Sequence, residues 1–325
     1  MPRKARINSP GVLQHVMARG LEGRDLFDDD DDHIIFLDLF KKRVQEVGYK
    51  CYAWVLMDNH YHLLLRTSER PLSELMKPLN TDYARYFNRK RQRRGYVFQD
   101  RYKSIATQDQ FYIEQIVRYI HLNPYRAGLC RNMEQLNNFP WSGHSAIMGT
   151  TVRDFQDSDS VLRRFGLEIE LSRQRYAEFI REGMRSRGGD DLIEIIRRSN
   201  NAIQNRHSSD CWVIGDKEFV QKVLEHDAKN RIRIARYKRE GWDPDRLARF
   251  VSEKLSIPPD QLLTQSKRTI QSDARKIFCY IGSRELGFSS KVLGEYLNIS
   301  QAAVSASSRR GGTIALKKNI KIEDV

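Results

Sequence analysis

The sequence predicts an α+β domain, an antiparallel sheet with packed helices, followed by a helical region and an all-α helix-turn-helix domain. Three observations carry this. Through about residue 145, β-prone stretches and helical apolar spacings alternate as β-α-β-β-α-β-α, the order of a split-βαβ sandwich. After about residue 240 the helical period stands alone. And 325 residues are comfortable for two domains rather than one core. The segmentation read from these changes is 1–148, 149–240 and 241–325.

Residues 12–18 (VLQHVMA) are short and β-prone and leave through Arg19-Gly20, a strand running into a loop. The acidic run Asp28–Asp32 leads into Ile34, Ile35, Leu37, Leu39, Phe40, Val44 and Val47, a helix closed by Gly48. Aspartates at a helix start complement the dipole, so this run is read as a cap rather than a metal site. Tyr49–Thr67 holds two β-rich stretches around Asp58-Asn59, a hairpin. Leu72, Leu75, Met76, Leu79, Tyr83 and Tyr86 give a helix, with a kink expected at Pro78 and a basic exit through Arg94-Gly95. A strand is expected over Tyr96–Thr107. The next helix starts near Asp109 and ends near Asn123, because Pro124 disfavours helical geometry before it. Residues 150–230 read as mostly helical, with linkers at Arg185–Asp191 and Asn200–Asp210. In the last part, Val292, Leu293, Tyr296 and Leu297 mark one helix face, Asn298-Ile299 a turn, and Ser300 the cap of a second helix with Ala303 and Val304.

Lys+Arg number 56 against 42 Asp+Glu, a net charge of +14, and such an excess attracts polyanions, nucleic acid first. A mean hydropathy of −0.64, without an apolar run near the roughly 20 residues that span a bilayer, excludes an integral membrane protein. MPRKARINSPG lacks the apolar core of a secretory signal, so a cytoplasmic location, on the nucleoid, is expected. Cys51, Cys130, Cys211 and Cys279 are scattered and read as buried thiols.

The candidate chemistry starts at His60-Tyr61-His62. On a strand, positions 60 and 62 share a face about 7 Å apart, near enough for one cation; a pair of solvated or hydrogen-bonded histidines fits as well. On the helix ending at Asn123, the apolar stripe is Ile113, Ile116, Val117 and Ile120. Tyr119 falls beside it and Asn123 one turn further on the same flank, where an amide oxygen can complete a His-His-amide site. Tyr112 shares that flank, and His121 projects away and reads as structural. A cation on the non-bridging oxygens of a DNA phosphate would polarise phosphorus while the tyrosine oxygen attacks in line. The plain alternative is a half-buried helix tyrosine.

NHYHLLL (59–65), LNTDYARYFNRK (79–90), GYVFQDRYKS (95–104) and YIHLNPYRAGL (119–129) resemble the REP-associated tyrosine transposases of the HUH single-strand transposase superfamily, across most of residues 1–145. The resemblance implies a ferredoxin-like HUH fold, Mg²⁺ or Mn²⁺ held by His60, His62 and Asn123, and a 5′-phosphotyrosine formed by Tyr119 with release of a 3′-OH. It implies single-stranded DNA with hairpins as partner, repeated extragenic palindromes among them. Tyr61 is aromatic where the superfamily's name implies a plain hydrophobe.

Outside that constellation, Arg85, Arg89, Lys90, Arg91, Arg93 and Arg94 lie among aromatic residues, the mixture that suits single strands; Tyr83 and Tyr86 continue the apolar stripe and are expected in the core. Arg101 and Lys103 form a second contact line on the expected strand. SKRTIQSDARKIFCYIGSRELG (266–287) and the helix-turn-helix resemble the DNA-binding domain of the bacterial chromosomal replication initiator over about 245–312, which implies duplex DNA as partner. Gln301, Ala302 and Ser305 then sit where a recognition helix meets bases, and Lys267, Arg268, Arg309 and Arg310 suit phosphates. A domesticated, non-catalytic DNA-binding protein or regulator and a water-using nuclease are the competing readings; a monomer or homodimer is expected.

Overall fold

The computed structural model describes residues 7, 9–68, 70–185, 203–208, 211–263 and 269–322. The chain divides into two units, Met1–His226 and Asp227–Val325.

The first unit is built in the order β1 (Leu13–Arg19), α1 (Asp30–Val47), β2 (Lys50–Met57), β3 (His60–Arg66), α2 (Ser73–Lys90), β4 (Lys103–Thr107) and α3 (Asp109–His121). This is the mixed α+β architecture and the element order that the sequence predicts. Asp29 caps α1 by accepting from the Asp32 amide, and Gly48 closes it at a φ of 69°, a left-handed turn that glycine adopts without penalty. β1 pairs antiparallel with β3 and β4, and β2 with β3. Strand alternation sorts the side chains. Val16, Ala18, Tyr61, Leu63 and Leu65 enter a core with α1 and α2, whereas Leu13, Leu64 and Ile105 pack under Ile113, Ile116, Val117 and Ile120 of α3. Tyr61 is fully buried, its hydroxyl donating to Asn80 Oδ1 at 2.6 Å. Tyr83 is core and Tyr86 packs against it.

Two expectations need correction here, and the helix end expected near Asn123 is met within two residues. The strand expected over Tyr96–Thr107 is confined to Lys103–Thr107. Upstream, a single bridge joins Gly20 and Phe98, because β1 has ended and turned into a 3₁₀ turn, Leu21–Gly23, leaving no ladder to pair with. The helix break comes at Leu122, and a separate turn, α4 (Asn123–Arg126), follows with proline at its start, where a missing N–H costs nothing. Residues 203–208 and 211–215 are extended rather than linker or helix: β5 (Ile203–Ser208) pairs with β6 (Cys211–Gly215), and β6 runs parallel to β4. The sheet thus has six strands in the order β2-β3-β1-β4-β6-β5. The run Cys211–Ile214 buries itself because it lies inside a sheet, with Cys211, Val213 and Ile214 inaccessible to solvent.

Between α4 and β5 lie α5 (Met133–Asn137), α6 (Gly143–Met148), α7 (Ser158–Leu162) and α8 (Ile169–Arg185); the linker expected at 186–191 falls outside the described residues. α9 (Lys217–Arg239) crosses the division between the units.

In the second unit, α10 (Pro244–Lys254), α11 (Pro259–Leu263), α12 (Thr269–Arg284), α13 (Ser290–Leu297) and α14 (Gln301–Lys317) surround one apolar core. Asn298 ends α13 in a left-handed conformation, φ 51°, and Ser300 caps α14 by accepting from the Ala303 amide. α14 runs on through Gly311 and Gly312. A Cβ on Gly311 would lie 1.9 Å from the Lys276 carbonyl oxygen, so α14 can approach α12 this closely only without a side chain there. The four cysteines are free and buried. Among the described residues no helix is long and apolar enough to cross a membrane.

Candidate active site

Strand register assembles the polar groups. On the face covered by α3, cross-strand rows read Met57–His60–Arg19, then Val55–His62–Met17–Lys103, then Ala53–Leu64–His15–Ile105. His60 and His62, two apart on β3, meet edge to face with ring centroids 5.1 Å apart. His15 sits diagonally across from His62. Their rings stack at 5.1 Å, and His15 Nε2 and His62 Nδ1 share a 2.9 Å hydrogen bond.

The amide of Asn59 fixes the tautomer of His60. Asn59 Nδ2 donates to the Gly23 carbonyl at 3.1 Å, which leaves Oδ1 to accept from His60 Nδ1 at 2.8 Å. The proton of a neutral His60 then sits on Nδ1, and the lone pair on Nε2. Burial draws His60 below the ordinary histidine range, with Arg19 acting the same way and Asp58 opposing. His62 lies well below that range, from burial first and then from His15 and His60. Burial pushes His15 down to about 3. The histidines of this face are neutral at pH 7, the state in which imidazole ligates a cation.

Tyr119 comes in from α3. Half-buried, its ring stands edge-on to His62 at 5.7 Å and to His15 at 5.9 Å. The guanidinium of Arg126 lies 5.5 Å from the Tyr119 ring centre. Tyr112, the other tyrosine of this flank, is buried among apolar side chains. His121 is structural: its Nδ1 and that of His144 meet the Tyr176 hydroxyl at 2.7 and 2.8 Å. Asn123 Nδ2 donates to the carbonyls of Tyr119 and Ile120, at 2.8 and 3.3 Å, so Oδ1 is the end of the amide left for a ligand. Among the described residues no three His, Cys, Asp or Glu side chains form a metal-holding cluster, so His15 does not complete a three-histidine site. His60 and His62 offer two neutral imidazoles and Asn123 an amide oxygen, donor types that suit Mg²⁺ or Mn²⁺.

The basic residues separate into two groups. Lys90 and Arg91 are held by the acidic start of α1: Lys90 Nζ lies 2.6 Å from Asp29 and 3.0 Å from Asp32, and Arg91 Nη2 is 2.5 Å from both Asp28 and Asp32. Both expected phosphate contacts are thus ion-paired within the chain. Arg93 is half-buried, its guanidinium 5.7 Å from the Phe87 ring centre. Arg85 is exposed and 3.5 Å from Asp82, and Arg89, Arg94, Arg101 and Lys103 are exposed. Arg101 precedes β4, so it does not alternate with Lys103 along a strand. Tyr96, between these arginines, is 82% exposed. In the second unit Gln301 and Arg310 are exposed and Arg309 half-buried, while the Ser305 hydroxyl donates to the Gln301 carbonyl at 3.0 Å. Lys267 and Arg268 lie outside the described residues.

Sequence reasoning missed His15, Arg19 and Arg126. Continuing the alternation of β1 through 13, 15, 17 and 19 puts His15 and Arg19 on one face, but only the pairing with β3 shows that it is the face of His60 and His62.

Residues 10–123 match the family model described as "Transposase IS200 like", a little over a third of the chain, and this segment is accordingly transposase-like, of a DNA-binding and DNA-processing class whose HUH members generally use a divalent metal. A solved structure of a REP-associated tyrosine transposase bound to a REP hairpin is 16% identical, with 49% of this chain and 90% of that chain covered and a TM-score of 0.39. No curated protein matches the chain.

Proposed function

We propose that this protein cleaves and rejoins single-stranded hairpin DNA through Tyr119, as a metal-dependent tyrosine transposase acting on cytoplasmic, nucleoid DNA. The observation that carries the reading is the seat of Tyr119, edge-on to His62 on the face that bears His60. The Tyr119 hydroxyl loses its proton and its oxygen attacks phosphorus in line. A phosphorus–oxygen bond to Tyr119 forms, the bond to O3′ breaks, and O3′ leaves as a hydroxyl after taking up a proton. The 5′-phosphate stays esterified to Tyr119, and a 3′-OH reverses the exchange to rejoin the strand.

His60, His62 and Asn123 are the residues that hold the divalent cation, Mg²⁺ or Mn²⁺. When bound, it polarises the phosphate and offsets charge developing on the transferring group. Asn59 keeps the Nε2 lone pair of His60 outward. Arg19, at the end of β1 in register with His60, and Arg126, beside Tyr119, supply positive charge to the phosphates next to the scissile one. The exposed ring of Tyr96 gives unpaired bases a surface to stack on, and Arg94, Arg101 and Lys103, exposed and close to it in sequence, contact phosphates. In the second unit Gln301, Ser305, Arg309 and Arg310 of α14 are the residues offered to duplex DNA, and the resemblance adds Lys267 and Arg268 for its phosphates.

The test is incubation with labelled single-stranded hairpins and Mn²⁺ or Mg²⁺, then denaturing gels and peptide mapping, with Tyr119→Phe alongside. A covalent adduct that maps to Tyr119 and is lost in the variant is the expected result. Cleavage that persists in Tyr119→Phe refutes the reading and points to water as the nucleophile.

A further inference from the structure

His15 has no evident place in the fold. It is fully buried, its cross-strand neighbours are Leu64 and Ile105, and its Nδ1 has no hydrogen-bond partner among the described residues. A leucine or phenylalanine would pack there without burying an unmatched polar atom. Its Nε2 meets Nδ1 of His62 at 2.9 Å, with 7° between the ring planes. On the other histidine of the pair, Asn59 occupies the equivalent atom: its Oδ1 takes Nδ1 of His60. Both His60 and His62 are thus held by Nδ1, by different partners from different strands or turns. This leaves Nε2 as the remaining nitrogen on each.

We infer that His15 is a positioning residue that fixes the ring and tautomer of His62 for cation binding through Nε2. The inference rests on the proposed reading that His60 and His62 hold a divalent cation. In the loaded protein His62 carries its proton on Nδ1 and donates it to His15 Nε2, so His15 carries its own proton on Nδ1. An acceptor behind a ligating histidine settles which nitrogen is free, stops the ring turning and raises its basicity, and loss of such a partner typically weakens metal binding by about 10–100-fold.

The test separates an acceptor from a space-filler. Mn²⁺ affinity of the full-length protein is measured from the electron paramagnetic resonance of free Mn²⁺, for the wild type, His62→Ala, His15→Phe and His15→Gln, with thermal unfolding of each as a folding check. Phenylalanine keeps an aromatic ring in the apolar surround and lacks an acceptor; glutamine supplies an acceptor oxygen and packs less well. The expected result is a loss of Mn²⁺ affinity of about 10–100-fold in His15→Phe, with recovery of most of it in His15→Gln even where that variant melts lower. If wild-type binding does not depend on His62, the metal reading itself fails and this inference with it. If binding depends on His62 yet His15→Phe stays within twofold of wild type, or affinity tracks melting temperature across the variants, the inference alone is overturned. A direct check uses the histidine ring nitrogens in ¹⁵N spectra of the Mg²⁺-loaded wild type: a proton on Nε2 of His62 overturns it as well.

Discussion

Replacing Asp32 by asparagine tests whether the acidic start of α1 is a structural clamp. The Asp32 side chain is inaccessible to solvent, accepts from the Asp28 amide and lies within 3.0 Å of both Lys90 and Arg91. Burial alone would raise its pKa; Arg91, the Asp28 amide and Lys90 overcome burial and hold it at about 2, against 3.8 when unperturbed. At about 1.36 kcal/mol per pKa unit this depression is worth about 2 kcal/mol of folding stability at pH 7. Because the folded pKa is the lower one, the contribution is complete above the unfolded pKa and drains as pH falls through the folded one; about 1 kcal/mol of it is gone by pH 3. Asp32→Asn should therefore lower the melting temperature of the first unit by about 4–8 °C at pH 7, and the gap between variant and wild type should narrow as the pH is taken to 3. Calorimetry at both pH values measures it. A gap that is absent at pH 7, or that widens on acidification, refutes the clamp. The same substitution loosens Lys90 and Arg91 from α1, so hairpin-DNA affinity should hold or rise while stability falls.

Other consequences follow from single contacts. Tyr96→Ala should weaken single-stranded DNA binding by about 1–3 kcal/mol, the usual worth of one stacked base, and barely change duplex binding, read by fluorescence anisotropy. Arg94→Ala should reduce the slope of log affinity against log salt on single strands by about 0.7, whereas Arg91→Ala, which removes a charge already paired with Asp28 and Asp32, should leave the slope unchanged. Tyr176→Phe removes the hydroxyl that joins His121 and His144 and should cost about 1–3 kcal/mol for each ring nitrogen left unmatched, measured by urea unfolding; a neutral outcome would show that water enters there. Gly311→Ala should unfold or strongly destabilise the second unit, since its methyl would collide with the Lys276 backbone, and an unchanged melting profile would contradict the close approach of α12 and α14.

Local signals were legible in the sequence wherever one element sets its own geometry. Asp29 and Gly48 bound α1, Asp58-Asn59 turns the hairpin, and Ser300 caps α14, each from chemistry within a few residues. Pairing across long separations was not legible. β6 reads as a short apolar run whether it lies in a helix or in a sheet, and only its position beside β4, more than a hundred residues earlier, makes it a strand. Lys90 and Arg91 look like phosphate ligands until Asp28, Asp29 and Asp32 are seen beside them. For the candidate site, the periods of one strand and one helix put His60 with His62 and Tyr119 with Asn123, and the family resemblance, not the periods, singled these four out. His15 needed the register of β1 against β3, which no local pattern contains.

That register also explains why the candidate site and the sheet cannot vary separately. With a side-chain period of two, slipping β1 by one residue against β3 would turn His15 and Arg19 into the core shared with α1 and α2, and bring Val16 and Ala18 to the face of His60 and His62. Fully buried Val16 on one side and the apolar contacts of Leu13 on the other hold β1 in place from both faces. The stability of the sheet is thus what keeps His15 behind His62 and Arg19 beside His60. On the helix side, the stripe from Ile113 to Ile120 sets the rotation of α3, and Tyr119, one residue before the last position of that stripe, is turned by it to the edge of the buried surface rather than into it. A tyrosine there is half-buried beside the histidines, the seat that the nucleophile proposed above requires.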